Sequence, residues 1–414
     1  MKFIFKYNVV VMIVAGVLVS LSALATAKPW MQLGQDLHGD EVGDLFGCSV
    51  SLSSNGTTAL IGGPHNDKNG DNSGHARVYD WDGTLWVQRG ADIHGLRAGD
   101  MFGRHTALSA DGNTALIGAH SRKNAHPGYA TVYDWLPATN SWAQRGQSLE
   151  GEGKNDCFGS SVALSSDGNT ALVAGLLNNS NGTQSGHIRI YDWDGKQWIQ
   201  RGVDICGAAR DRLGWSASLS SDGKTTLVAG KRMVSAQSIA EGWTSAVTGV
   251  ARVYDWNGRK WIQRGLDINE WKLGSYFGFS NSISSDGGSI AVGAPGPKSG
   301  LVRVYDWNEK KWVQRGVDIN WKQEGGKIVL GNAFGRSVDL SDDGDTLLVG
   351  CPSMKKSRLY DWDGKAWIQR GPDIDAAGGS VSLSADGTRA LIGSPGGLQI
   401  GDPTPSAGVV RAYQ

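Results

Sequence analysis

The chain has 414 residues, and its 40 acidic and 40 basic side chains cancel to a formal charge of zero, so no global field draws it to nucleic acid or an anionic membrane. Its 60 glycines mark a chain that turns every few residues, and outside the N-terminus no segment sustains a helical period. The four cysteines, Cys48, Cys157, Cys206 and Cys351, lack metal-ligand spacing; Cys157 and Cys206 are the best disulfide pair, with separately buried thiols as the alternative.

Taken in order, Lys2 and Lys6 precede an uncharged run over 9–25 that ends in Ala25-Thr26-Ala27. This predicts a signal peptide over residues 1–27, cleaved after Ala27, with an uncleaved membrane anchor as the alternative. Residues 28–414 are then expected to be one domain, secreted or on the extracellular surface, without membrane insertion after cleavage. WMQLG (30–34) follows, a strand pattern that stands alone at the head of the chain.

From residue 46 a unit of roughly 56 residues recurs to the end. Residues 158–202, FGSSVALSSDGNTALVAGLLNNSNGTQSGHIRIYDWDGKQWIQRG, show it whole. A turn signal returns seven times: LSSNG (52–56), LSADG (108–112), LSSDG (164–168 and 219–223), ISSDG (283–287), LSDDG (340–344) and LSADG (383–387). YDW begins at Tyr79, Tyr133, Tyr191, Tyr254, Tyr305 and Tyr360, and W-x-Q-[RL]-G at Trp30, Trp86, Trp142, Trp198, Trp261, Trp312 and Trp367. SVALS alternates, TALVA is a short apolar run, and HIRIYDW alternates again, so each unit reads as four strands: two tight hairpins joined by a long loop. Asp-Gly between such runs predicts type I′ turns.

The two ends are complementary. The chain starts with a fourth strand and stops at Gln414 after a third, so 30–34 should pair with the strands of 378–414 and close the array. The expected fold is all-β: a seven-bladed β-propeller with four-stranded blades, the N-terminal strand completing the last. One face then carries the tight turns. The opposite face carries the long loops and the crossings from each W-x-Q strand to the next Phe-Gly.

Phe-Gly opens the unit at Phe46, Phe102, Phe158, Phe277 and Phe334, with Leu213 in its place once, and Val292-Gly293-Ala294-Pro295 closes a second strand. On these motifs the chain from about residue 30 on resembles FG-GAP repeats, similar to the propeller at the head of integrin α chains. The resemblance implies an extracellular binding propeller, but the family's D-x-D-x-D-G calcium loop is here shortened to S-x-D-G. One carboxylate on a tight turn cannot supply six to eight oxygens, so no calcium is expected there, and no cofactor is expected elsewhere.

Of 17 tryptophans, 13 occupy repeated W-x-Q and D-W positions and are expected to pack between blades. Trp215, Trp243, Trp271 and Trp321 remain, all in blades four to six or their crossings. With Asn269, Glu270, Asn320 and Lys322 they are the candidate ligand site, suited to stacking on sugars or anchoring a protein; packing of the crossings is the alternative. His38, His65, His94, His105, His120 and His126 crowd the first two blades without metal spacing, so no metal site is expected. Asp44, Asp100, Asp156 and Asp211 either ring the channel mouth or cap the turn before the inner strand. Asn55, Asn178 and Asn181 head N-x-[ST] sequons and are glycosylation candidates. No nucleophile motif, metalloprotease motif or phosphate loop appears, and no catalytic residue is assigned. The resulting expectation is a secreted, non-catalytic, monomeric binding module for a glycan or extracellular protein. A secreted carbohydrate-active enzyme and a wall or matrix structural protein are the alternatives.

Overall fold

Alternation and turn chemistry fold every repeat into one antiparallel sheet. The computed structural model describes residues 30–121, 126–233, 247–270, 274–296, 300–321, 331–396 and 406–414, so the expected signal peptide lies outside the described residues. In the third blade, strands Phe158–Leu164, Thr170–Gly175, His187–Trp193 and Trp198–Gln200 lie side by side in chain order. The second is buried along its whole length, which is why it reads TALVAG instead of alternating. Seven such sheets form around one axis, each with four or five strand segments.

The fifth segment is the rest of the edge strand. Beyond Gln200 the chain bends at Gly202 and returns as Ile205–Cys206, which pairs with Ile188 and His187. Gly202 has φ +75, and a Cβ there would lie 2.8 Å from the Trp256 ring of the next blade. The R-G step therefore wraps the edge of one blade around its neighbour's indole. Arginine and tryptophan fasten the same seam. Trp198 Nε1 donates to the Arg145 carbonyl at 2.9 Å, while the Arg145 guanidinium lies 4.7 Å from the centre of the Trp193 ring.

The S-x-D-G turns are not type I′. In the second blade Gly112 alone takes a left-handed backbone, at φ +74, and its N–H donates to the Ser109 carbonyl at 2.9 Å. Asp111 keeps an ordinary backbone because its Oδ1 accepts the Ser109 hydroxyl at 2.6 Å and the Asn113 N–H at 2.9 Å. The Ser-Asp pair locks a four-residue loop in which one glycine suffices.

These turns also tie the blades to one another. The N–H of Ser54 donates to the carbonyl of Ala110, and the same bond links Ala110 to Ser166, Ser166 to Ser221, Ser221 to Ser285, Ser285 to Asp342, Asp342 to Ala385, and Ala385 back to Ser54. This circle of seven backbone hydrogen bonds, each 2.9 or 3.0 Å long, rings the central channel at its turn-face end. Closure by the termini is as expected: Leu37–His38 pairs with Val409–Tyr413, and Gln32 bridges to Tyr413.

None of the four cysteines forms a disulfide with another, which corrects the Cys157–Cys206 pairing. Cys157 precedes the innermost strand and Cys206 ends the outermost, so the blade's full width separates them. No helix among the described residues is long and apolar enough to cross a membrane.

Candidate functional site

Each inner strand starts at Phe-Gly on the loop face and ends at the S-x-D-G turns. The phenylalanines are at most 1% exposed, filling the gaps between blades. The following glycine takes positive φ, +86 at Gly103 and +93 at Gly214, and the next residue lines the channel. Around the ring this position reads Cys48, Arg104, Ser160, Trp215, Phe279, Arg336 and Gly379. It differs in almost every blade, whereas the residue after it is serine in all but one: Ser49, His105, Ser161, Ser216, Ser280, Ser337 and Ser380. A constant scaffold thus presents a variable rim over a cavity of about 580 Å³.

Aromatic and cationic groups make up that rim. The Trp215 and Phe279 rings lie 5.6 Å apart, Arg336 sits 4.7 Å from the Phe279 ring, and Arg104 Nη1 donates to Cys48 Sγ at 2.9 Å. The middle hairpin of the fourth blade is longer than its counterparts, pairing Lys231 with Gly249 and Arg232 with Thr248. It carries the Lys231 ammonium to 4.8 Å from the Trp215 ring and 4.2 Å from Tyr276. A side pocket of about 290 Å³, lined by Asn155, Gln184 and Arg212, shares Trp215 as its wall.

Electrostatics at the rim is one-sided. Burial, reinforced by Arg104, pulls Arg336 below its ordinary pKa, and burial with Arg212 and Arg336 does the same to Lys231. His105 is pushed down to about 3 by burial and by Arg104, so it is neutral at physiological pH and serves as a polar wall. The channel's carboxylates lie deeper. Asp342 belongs to the turn-face ring, and Asp339 accepts the Ser282 hydroxyl and the Leu383 N–H, both at 2.8 Å.

Of the candidate ligand-site residues named from sequence, Trp215 alone lines this rim among those described. Trp321 corrects the expectation: it is 2% exposed, packed against Phe334 and the Arg358 guanidinium between blades, and unavailable for stacking. Asn269 and Asn320 lie on outer strand segments, bonded to the carbonyls of Asp267 and Asp318, far around the blade from the channel-lining strand. Trp243, Trp271 and Lys322, and the side chain of Glu270, lie outside the described residues. Asn55 and Asn181 are exposed. Asn178 is 3% exposed and its amide donates to Asp156 at 2.9 Å, so a glycan there is incompatible with this packing.

The G-D-x-F-G carboxylates are turn caps. Asp100 accepts the Arg97 N–H at 3.0 Å and the Tyr129 hydroxyl at 2.8 Å, and Asp156 accepts the Gly153 N–H at 2.8 Å. Two clusters have the donor types of a metal site: Asp40, His75 and Asp92, and their equivalents Glu152, His187 and Asp204. Each already contains a guanidinium. Arg77 bonds both Asp40 and Asp92, and Arg189 both Glu152 and Asp204. The imidazole Nε2 atoms abut Gly63 and Gly175, where a Cβ would lie 2.7 Å away. These are ion-pair networks filled by arginine, and a cation there would meet a like charge.

The rim arginines escaped the sequence reading because a single Arg in one repeat resembles any surface residue. Superposing the repeats on Phe-Gly exposes them, since one column varies between constant neighbours.

Comparison with known proteins bears on the scaffold. A family model described as FG-GAP repeat matches residues 39–79. No curated protein matches the chain. Among solved structures it is similar to hydrazine synthase of Kuenenia stuttgartiensis, at 14% identity and a TM-score of 0.56 over 87% of this chain and 94% of that one. It is also similar to a putative 6-phosphogluconolactonase from Bacteroides uniformis, at 10% identity and a TM-score of 0.55 over 80% and 85%. At such identities the likeness concerns the fold alone. The matched segment covers one copy of a unit that recurs in all seven blades, so the family match and the seven-bladed fold fit an FG-GAP repeat protein resembling the propeller at the N-terminus of integrin α chains.

Proposed function

We propose that the protein is a secreted, non-catalytic binding module that recognises an extracellular ligand, a glycan in the first instance, at the loop-face mouth of its central channel. The FG-GAP propeller suggests an extracellular binding module. One observation carries the location: the repeat position after Phe-Gly varies around the ring, and it lines the channel rim with Trp215, Phe279, Arg104 and Arg336. An indole and a phenyl ring at the mouth of a cavity suit capture of a ring-shaped group. Trp243 and Trp271 remain proposed contributors to the same face.

A glycan array probed with the native chain and with Trp215→Ala tests this. Specific binding is expected for the former and at least about a tenfold loss for the latter, with the β-sheet circular dichroism unchanged. A signal indifferent to Trp215, or the same loss from a distant control such as Trp321→Phe, would move the site elsewhere.

A further inference from the structure

We infer that the ligand of this rim is an acidic saccharide, a sugar bearing a carboxylate or sulfate, with its ring against Trp215 and its anion held by Arg336 and Arg104. The inference rests on the binding reading above and specifies its chemistry.

The rule elsewhere in the molecule is that repeat arginines have carboxylate partners. Arg77 pairs with Asp92, Arg201 with Asp192, Arg264 with Asp255, Arg315 with Asp306 and Arg370 with Asp361. Arg104, Arg336 and Lys231 break that rule: among the described residues none has a carboxylate within ion-pair distance. Arg104 instead bonds a cysteine sulfur, Arg336 lies on a phenyl face, and Lys231 lies over two aromatic rings. Arg336 and Lys231 are half-buried, so water screens their mutual repulsion less than at an open surface. Asp339 forms no ion pair with them; its oxygens accept from Ser282, Leu340 and Leu383 instead. Positive charge gathered without a protein counter-ion, in a cavity large enough for a small ligand, is built for an anion that arrives with the ligand.

A sugar fits better than a peptide. Peptides that add to sheets need an unpaired strand edge. Here the inner strands are already stitched together: Ser49 Oγ accepts the Thr106 N–H, Ser161 Oγ the Ala217 N–H and Ser337 Oγ the Val381 N–H, each at 3.0 Å. What the channel does offer is hydroxyls below a pair of aromatic faces.

The test is calorimetric titration of the full chain, expressed with its own N-terminal segment, against five probes. These are digalacturonic acid, its dimethyl ester, a sulfated disaccharide, neutral cellobiose and triglutamate. Either acidic sugar should bind, and which one does identifies the anion. The ester and cellobiose should be weaker by about tenfold or more, and affinity should fall as salt rises from 50 to 300 mM. Arg336→Met and Arg104→Met should each lose about tenfold, and Arg336→Lys, which keeps charge without the guanidinium fork, should fall between. Melting temperatures check that the variants fold. Equal binding of acid and ester, still lost in Trp215→Ala, would sink the anion inference and leave the binding site standing. Preference for triglutamate would sink the saccharide class. No binding by any probe, or binding that ignores Trp215, would overturn both.

Discussion

Asp339 faces the channel from the inner strand of the sixth blade, Ser337–Leu340, and burial pushes its carboxyl up to about 6 even though hydroxyl and backbone donors favour the anion. The sign of the pH effect follows. A raised carboxyl holds its proton more tightly in the fold than in the unfolded chain, where it titrates near its ordinary 3.8. Below that value neither state is charged and the fold is not penalised; between about 4 and 6 the unfolded chain ionises first, so the native state loses stability as pH rises. Asp339→Asn removes the ionisation. Its stability relative to the parent should therefore increase by roughly 2–3 kcal/mol between pH 4 and pH 7.5, whatever constant offset the lost acceptor introduces. Urea unfolding at the two pH values measures this, and a pH-independent difference would show that Asp339 is not buried as an acid. His75 works in the opposite direction. Burial and Arg77 push it down to about 4, so its contribution to stability is present above its ordinary 6.5 and lost as pH falls through that window.

At the scale of strands and turns, the glycines that made the repeat recognisable are the points where neighbouring blades touch backbone to backbone. A Cβ on Gly62, in the second strand of the first blade, would sit 1.9 Å from the Gly103 carbonyl oxygen of the next. Gly83, in the D-W-x-G turn of the same blade, has φ +103 with nothing within 4 Å of its missing Cβ. The two positions separate crowding from backbone strain. Gly62→Ala should cost about 3 kcal/mol or more by wedging two blades apart, and Gly83→Ala only about 1 kcal/mol for its left-handed backbone. Chemical unfolding of the pair decides, and equal losses would mean that the blades yield to a methyl group. This is also the scale at which the sequence was most nearly, but not fully, legible. Strand order, turn positions and the buried second strand were readable from period and alternation. The turn type was not, because Asp-Gly is the usual I′ signal and the serine two residues earlier overrides it through its bond to the Asp carboxylate.

For the whole molecule, closure was readable because it needs only an inventory of strands, whereas the binding rim needs the direction each strand takes around the axis. Trp215 was found as an unrepeated indole, and the same criterion selected Trp321, which turned out to be interior packing; rarity in a repeat does not distinguish a rim from a seam. Closure itself can be tested by removing its last piece. Residues 30–38 cover the strand Val409–Tyr413, and Trp86 Nε1 also donates to the Leu33 carbonyl at 3.0 Å, so this segment joins the last blade to the first. Its deletion leaves one full edge of the seventh sheet unpaired beside the intact turn-face ring, and an unpaired edge is a template for another chain. The truncated protein is expected to melt at least about 5 °C lower and to run as dimers or larger species in light scattering. A synthetic peptide covering 28–39, added in excess, should restore both the monomer and the melting temperature, because it replaces the strand without the covalent link. If the truncated chain stayed monomeric with an unchanged melting temperature, the turn-face ring of backbone hydrogen bonds alone would be holding the seven blades closed.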